Sequence, residues 1–240
     1  MRLPIVYIPK TKIKKFIHIE KRYKCKYILI PLGCDCHPAY VLNSLYLRKV
    51  SFPFDWLNIK PIETFKYVND NINDEFENFL KNIKLNERGY FISEKYPCSE
   101  FMHEKELNQI DSINKFERRT QRFLNLFQNE KIAFLHNIPV NSIKDEKELS
   151  YYINSIKLFK TKISQTSLLN IYLRFDENLN ENKLLADELF NELNELNINT
   201  FKYVRNIKKN GIWGQKSKYY YLLTSMGIKL KLTFPKIFIK

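Results

Sequence analysis

Four cysteines and four histidines are the side chains of this 240-residue chain best suited to nucleophilic or metal chemistry, and they are unevenly spread. Cys34 and Cys36 stand two apart in Leu32-Gly33-Cys34-Asp35-Cys36-His37-Pro38-Ala39, directly after the apolar run Lys26 to Leu32. That run has the length and continuity of a strand buried on both faces. Pro38 suits a first helical position, and Ala39, Leu42, Leu45 and Tyr46 follow at helical spacing, predicting a helix over Ala39 to Leu47. A thiol between a buried strand and a helix N-terminus lies at the edge where α/β folds hold their active sites. The partial positive charge of the helix end should draw that thiol below its free pKa of about 8.5. Gly33 lets the backbone turn sharply there. Burial as a small apolar side chain is the alternative for any cysteine.

The same residues also offer metal ligands. Cys34, Cys36, His37, Cys98 and His103 supply mixed ligands, but Cys-x-Cys is a poor start for a zinc knuckle, so neither metal nor cofactor is expected. His136 follows a second strand, Lys131 to Leu135, and would share a sheet edge with Cys36 if the strands are parallel. It is then one candidate general base, or an ordinary strand-end polar residue. His18 sits among basic residues and receives no role.

The elements around these residues alternate. Pro61 opens a helix carrying Phe65 and Val68, Asp74 to Ile83 reads as a short amphipathic helix, and Asp111 to Asn129 as a longer one with Arg118, Arg119 and Arg122 on its outer side. Lys144 to Phe159 and Glu181 to Leu196 are helical, and Leu168 to Phe175 and Thr200 to Val204 are strands. This order predicts a three-layer α/β fold, a mainly parallel sheet with helices on both faces. One domain is expected over 25–225, with basic extensions at 1–24 and 226–240.

Lys and Arg outnumber Asp and Glu by 40 to 26, and 15% of residues are aromatic, which excludes a disordered polycation. Residues 1–26 hold nine Lys or Arg and only Glu20; residues 202–240 hold ten and no acid. With no zinc finger, helix-turn-helix or paired-aromatic strand motif, specific nucleic-acid binding is not expected, nor a single nucleic-acid groove built from the two basic ends. No apolar run approaches the roughly 20 residues of a membrane helix. Pro4, Pro9, Lys10 and Lys12 interrupt any signal-peptide core, so an intracellular, cytoplasmic protein with reduced thiols is expected.

Leu32-Gly33-x-x-Cys36-x-x-Ala39-x-x-Leu42, followed by Pro53-Phe54-Asp55-Trp56, resembles a family of uncharacterised bacterial and viral proteins labelled as papain-like cysteine peptidases. Phe101-Met102-His103, Arg118-Arg119-x-x-Arg122-Phe123 and Trp213-Gly214 are similar as well. The resemblance implies Cys36, rather than Cys34, as nucleophile, His103 as its general base and Glu104 as the acid that follows this histidine. Asp55 would orient the imidazole, or cap a loop. A papain-like protein places its cysteine on a helix in one lobe and its histidine in an antiparallel lobe, whereas the alternating elements point to a parallel sheet. The expected activity is hydrolysis by thiolate attack on a carbonyl of a peptide. The alternatives are acyl transfer or ester hydrolysis on an acylated small molecule or glycan, as in SGNH-type enzymes whose nucleophile follows the first parallel strand, and a non-catalytic carbohydrate or partner-binding module. Oligomeric state stays open.

Overall fold

The computed structural model describes residues 2–12, 14–129, 131–177 and 183–239. In chain order it contains β1 (Arg2–Tyr7), β2 (Lys14–Lys24), β3 (Ile28–Pro31), α1 (His37–Ser44), β4 (Asn58–Ile59), α2 (Thr64–Asn73), β5 (Ile83–Leu85), β6 (Phe91–Ser93) and β7 (Tyr96–Phe101). There follow α3 (Ile110–Asn129), β8 (Ile132–Pro139), α4 (Glu146–Lys162), β9 (Leu168–Asp176), α5 (Lys183–Glu195), β10 (Asn199–Arg205), α6 (Ile207–Asn210), α7 (Tyr219–Ser225) and β11 (Lys231–Ile239). Glu181 and Asn182, the first residues of one expected helix, lie outside the described residues.

The α/β class is as expected, but the strands divide among three sheets. β10-β9-β8-β3 is wholly parallel; β4-β7-β6-β5 and β1-β2-β11 are antiparallel. The expectation of a mainly parallel sheet is therefore corrected to one parallel sheet among several. The reason lies in the connections: β5, β6 and β7 are joined by turns too short for the helical crossover that parallel pairing requires.

The parallel sheet is covered on both faces because its strands alternate between two apolar clusters. Ile132, Phe134 and Ile138 of β8 enter one cluster with Phe65 of α2, Phe123 of α3, Phe159 of α4 and Leu189 of α5. Ala133 and Leu135 enter the other with Val41 and Leu42 of α1 and Leu222 and Leu223 of α7. Period-2 alternation along a strand sorts them.

The helix expected over Asp74 to Ile83 is a series of turns. Glu75, Phe76 and Asn82 have φ of 50°, 66° and 50°. Ser93 donates to the carbonyls of Asn78 (2.8 Å) and Lys81 (3.0 Å), and Asn78 Nδ2 to the Asp74 carboxylate (2.9 Å). Phe76 and Phe79 still reach the core, so the i, i+3 apolar spacing that suggested a helix is satisfied by a tighter local path.

The antiparallel β4–β7 pair is tied to the loop that follows β3. Ile59 N–H donates to the Cys34 carbonyl (2.7 Å) and Lys60 N–H to the Cys98 carbonyl (2.9 Å), fastening the loop after β3 to the sheet that ends in Phe101.

Candidate active site

Cys36 is the N-cap of α1, with φ −75° and ψ 0°, and Pro38 lies in the first turn. The loop that delivers it is anchored through Asp35. Asp35 Oδ1 accepts the His37 N–H (2.9 Å) and Asn137 Nδ2 (3.3 Å), and Oδ2 accepts Arg174 Nη1 (2.5 Å). Burial opposes the charge on Asp35, but the Arg174 guanidinium and these hydrogen bonds together hold its carboxyl below the ordinary value. Arg174 lies 3.8 Å from Asp176, which Arg205 grips with two nitrogens (2.5 and 2.7 Å). A row of buried ion pairs therefore runs under the loop.

Gly33 is required by space. A Cβ there would sit 2.0 Å from the Asp35 carbonyl oxygen. Gly33→Ala should force the Gly33–Asp35 backbone open and cost about 1–3 kcal/mol, read as a lowered urea midpoint. An unchanged midpoint would mean that the loop has slack.

His103 stands two residues past β7 in a turn closed by the Glu104 N–H to the Phe101 carbonyl (3.1 Å). Its Nε2 lies 3.9 Å from Cys36 Sγ. His103 is exposed and Cys36 partly so, and solvent reaches the pair. The imidazole and the Trp56 indole make a T-shaped contact, with ring centroids 5.8 Å apart at 80°, and Arg48 lies 5.2 Å over the Trp56 ring.

The remaining candidates have other partners. Asp55 Oδ2 accepts Arg48 Nε (2.8 Å), Arg48 Nη2 (2.5 Å) and the Phe52 N–H (3.0 Å), closing the 48–55 loop. Its Oδ1 is buried with no hydrogen-bond partner among the described residues, so it makes no bond to the imidazole. Burial pushes the Asp55 carboxyl up, and Arg48 offsets only part of this. Glu104 pairs with Lys115 and lies 4.0 Å from Arg119. Cys34 is buried with its thiol 3.5 Å from the Asn137 carbonyl.

His37 and His136 are buried, each held at both ring nitrogens. His37 Nδ1 accepts from Tyr172 Oη (2.6 Å) and Nε2 donates to the Trp213 carbonyl (3.1 Å). His136 bonds the Leu32 carbonyl through Nδ1 and Tyr152 Oη through Nε2 (3.0 Å). Burial draws both down to about 4. The expectation that His136 ends its strand is corrected: β8 continues to Pro139, leaving His136 in mid-strand against Phe65. The five residues weighed as zinc ligands do not converge, because Cys34 and His37 point into separate buried networks.

A lowered Cys36 pKa is not what the site imposes. Burial, and after it the adjacent Asp35 carboxylate, push the thiol up. A base that takes its proton as it attacks therefore assists this thiol.

Residues whose role was illegible in the sequence hold the pair in place. Arg122 Nη1 donates to the Ser51 carbonyl (2.7 Å), and Arg119 and Lys115 hold Glu104. Arg119 and Arg122 are thus part-buried against the site instead of forming a solvated outer face with the exposed Arg118. Across the parallel sheet, Gly214 at φ 72° leaves space that a Cβ could not share, 2.6 Å from Tyr203 Oη. The carbonyl of Trp213 can then receive His37, while its indole stacks on Tyr40 (3.9 Å, 16°).

A thiol at a helix N-terminus, facing an imidazole delivered by an antiparallel strand, defines a cysteine–histidine protein on an α/β framework. The chain belongs to the family described as "Putative papain-like cysteine peptidase (DUF1796)", whose profile matches residues 27–170. That span contains Cys36, Asp55 and His103. The chain is also 27% identical over 137 residues to "Uncharacterized protein R408" of Acanthamoeba polyphaga mimivirus, covering 46% of this chain. It spans 61% of that relative's length. No solved structure matches the chain. No helix among the described residues is long and apolar enough to cross a membrane.

Proposed function

We propose that the chain is a cysteine hydrolase of the peptidase type, with Cys36 as nucleophile and His103 as general base. The observation that carries this reading is the 3.9 Å approach of Cys36 Sγ to His103 Nε2 at a solvent-reached edge. His103 Nε2 accepts the Sγ proton as sulfur attacks the substrate carbonyl carbon. The tetrahedral adduct collapses to a thioester, the departing amine or alcohol takes the proton, and water then releases the acid and restores the thiol. The positive end of α1 favours the negative charge that develops.

Asp55 serves as a positioning residue: it holds Arg48, Arg48 covers Trp56, and the Trp56 ring positions the imidazole. Glu104 ties the His103 turn to α3. The catalytic unit is taken as residues 25–225, in a reducing intracellular compartment, a setting supported by four unbridged cysteines. Acyl transfer to a small molecule or glycan is the second reading, favoured by a nucleophile loop that follows a parallel strand.

Incubation with an activated ester and with a mixed peptide library tests this. The expected result is an acyl adduct on the Cys36 peptide in mass spectrometry, and the acceptor that discharges it, water or a hydroxyl, separates hydrolase from transferase. No adduct, with equal slow alkylation of all four cysteines, would leave the non-catalytic binding module.

A further inference from the structure

Strands from both ends of the chain meet in one basic sheet. β2 lies between β1 and β11, and these three strands together carry eight Lys or Arg against Glu20 alone. The sheet's register sorts side chains by face. Leu3 pairs with Ile17 and Ile17 with Ile239; Ile19 pairs with Ile237, and Tyr23 with Leu232. Directly opposed residues share a face, which makes this face an apolar strip that packs on the second core cluster at Tyr23 and leaves it toward Leu3, Ile237 and Ile239. Leu3 is 41% exposed, Leu232 63%, Ile237 62% and Ile239 64%. Phe234, at the irregularity in β11, is 91% exposed. Lys15 and Lys21, at the same alternation along β2, are exposed on the strip's face, while Lys24, Lys231 and Lys236 are exposed on the other, where Lys231 pairs with Lys24 and Lys236 with Glu20. At its Tyr23 end the strip itself forms one wall of a groove of about 1090 Å³ against α1 and α7, lined by Ile19, Tyr23, Leu232, Tyr40 and Tyr220, so the outward part of the strip is the Leu3, Ile237 and Ile239 end.

We infer that this terminal sheet docks the protein onto an anionic lipid bilayer. Apolar side chains exposed together are favoured in the acyl boundary, while lysines around them extend to the phosphate layer. The occupant follows from charge. A second copy would bring one strongly cationic sheet against another. A nucleic acid would match the lysines but leave the isoleucines and Phe234 without an apolar partner. A bilayer rich in acidic headgroups satisfies both sets at once.

The test uses the full chain with sedimented vesicles of phosphatidylcholine alone and of the same lipid with about one third phosphatidylserine. Binding to the anionic vesicles should exceed binding to the neutral ones by at least about tenfold and fall about tenfold between low and physiological salt. The surface variant I237S/I239S should weaken binding about tenfold while keeping the salt dependence. K15Q/K21Q, on the strip's own face, should flatten the salt dependence, and F234S, outside the paired strip, should weaken binding as I237S/I239S does. Preserved alkylation of Cys36 in each variant reports an intact domain. Equal binding to both vesicle types overturns the inference. So does dimerisation by light scattering without vesicle binding, or tighter binding to random DNA than to the anionic vesicles.

Discussion

Cys36→Ala should lower the hydrolysis of an activated ester such as p-nitrophenyl acetate by about 10³-fold or more at every pH, with the urea midpoint nearly unchanged. The side chain is partly exposed and bridges nothing, so its loss removes the nucleophile without opening a core. His103→Ala should cost about 10²–10⁴-fold near neutrality, but its loss should shrink as pH rises. Burial and Asp35 hold the thiol above its ordinary value. Without the imidazole, hydroxide must generate the thiolate, and the rate should climb through the alkaline range. Cys34→Ala, remote from solvent, should stay within a few fold of the parent. A Cys34→Ala loss equal to that of Cys36→Ala would reverse the choice of nucleophile. A His103→Ala variant with parental rate at pH 7 would remove the imidazole from the mechanism.

The second large effect is on stability in mild acid. His37 and His136 each have a folded pKa near 4 against an ordinary 6.5, because burial excludes the charged form. The unfolded chain therefore binds protons first. The stability each contributes is fully present above pH 6.5 and is lost as pH falls from 6.5 to 4. A difference of about 2.5 in pKa corresponds to roughly 3 kcal/mol per histidine, so the pair together approaches the whole stability of an ordinary domain. Urea midpoints measured from pH 8 to 4.5 should fall steeply below 6.5. Asp35, with a depressed carboxyl, adds its own loss only at lower pH, as pH falls below its unfolded value. His136→Gln removes one titrating group and should reduce the slope by about half, even if it lowers the midpoint at pH 8. A flat profile between pH 6.5 and 4.5 would show that water reaches both rings.

The carboxylate of Asp55 shows how a sequence motif can be right in place and different in part. Pro53-Phe54-Asp55-Trp56 does stand beside the candidate site. The Asp55 carboxylate, however, is taken by Arg48 and the Phe52 amide, and the residue of the motif that touches His103 is Trp56. The third side chain at the imidazole is an indole in a T-shaped contact, itself covered by a guanidinium, a contact that residue types and spacing cannot specify.

Local chemistry along the chain determined a good deal. The apolar run before Gly33, with Pro38 at a helix start, is enough to set a thiol at a strand–helix junction, since strand burial and helix initiation depend on neighbours within a few residues. The helix at Asp111 to Asn129 and the strands around Leu168 and Thr200 follow from periodicity in the same way. Long-range pairing was beyond it. Short strands such as Phe91–Ser93 carry too few residues for a period to register, and the union of the two termini depends on hydrogen bonds across more than two hundred residues. Whether His103 or His136 faces Cys36 was decided by β8 running on through His136 into the core, and by the β4–β7 pair bringing the turn after Phe101 to the loop after β3. The direction of the Cys36 pKa also belonged to the tertiary structure. The helix end that favours a thiolate is visible locally, but burial depends on what packs above the thiol. The charge on Asp35 depends on Arg174, a partner from a strand 139 residues away.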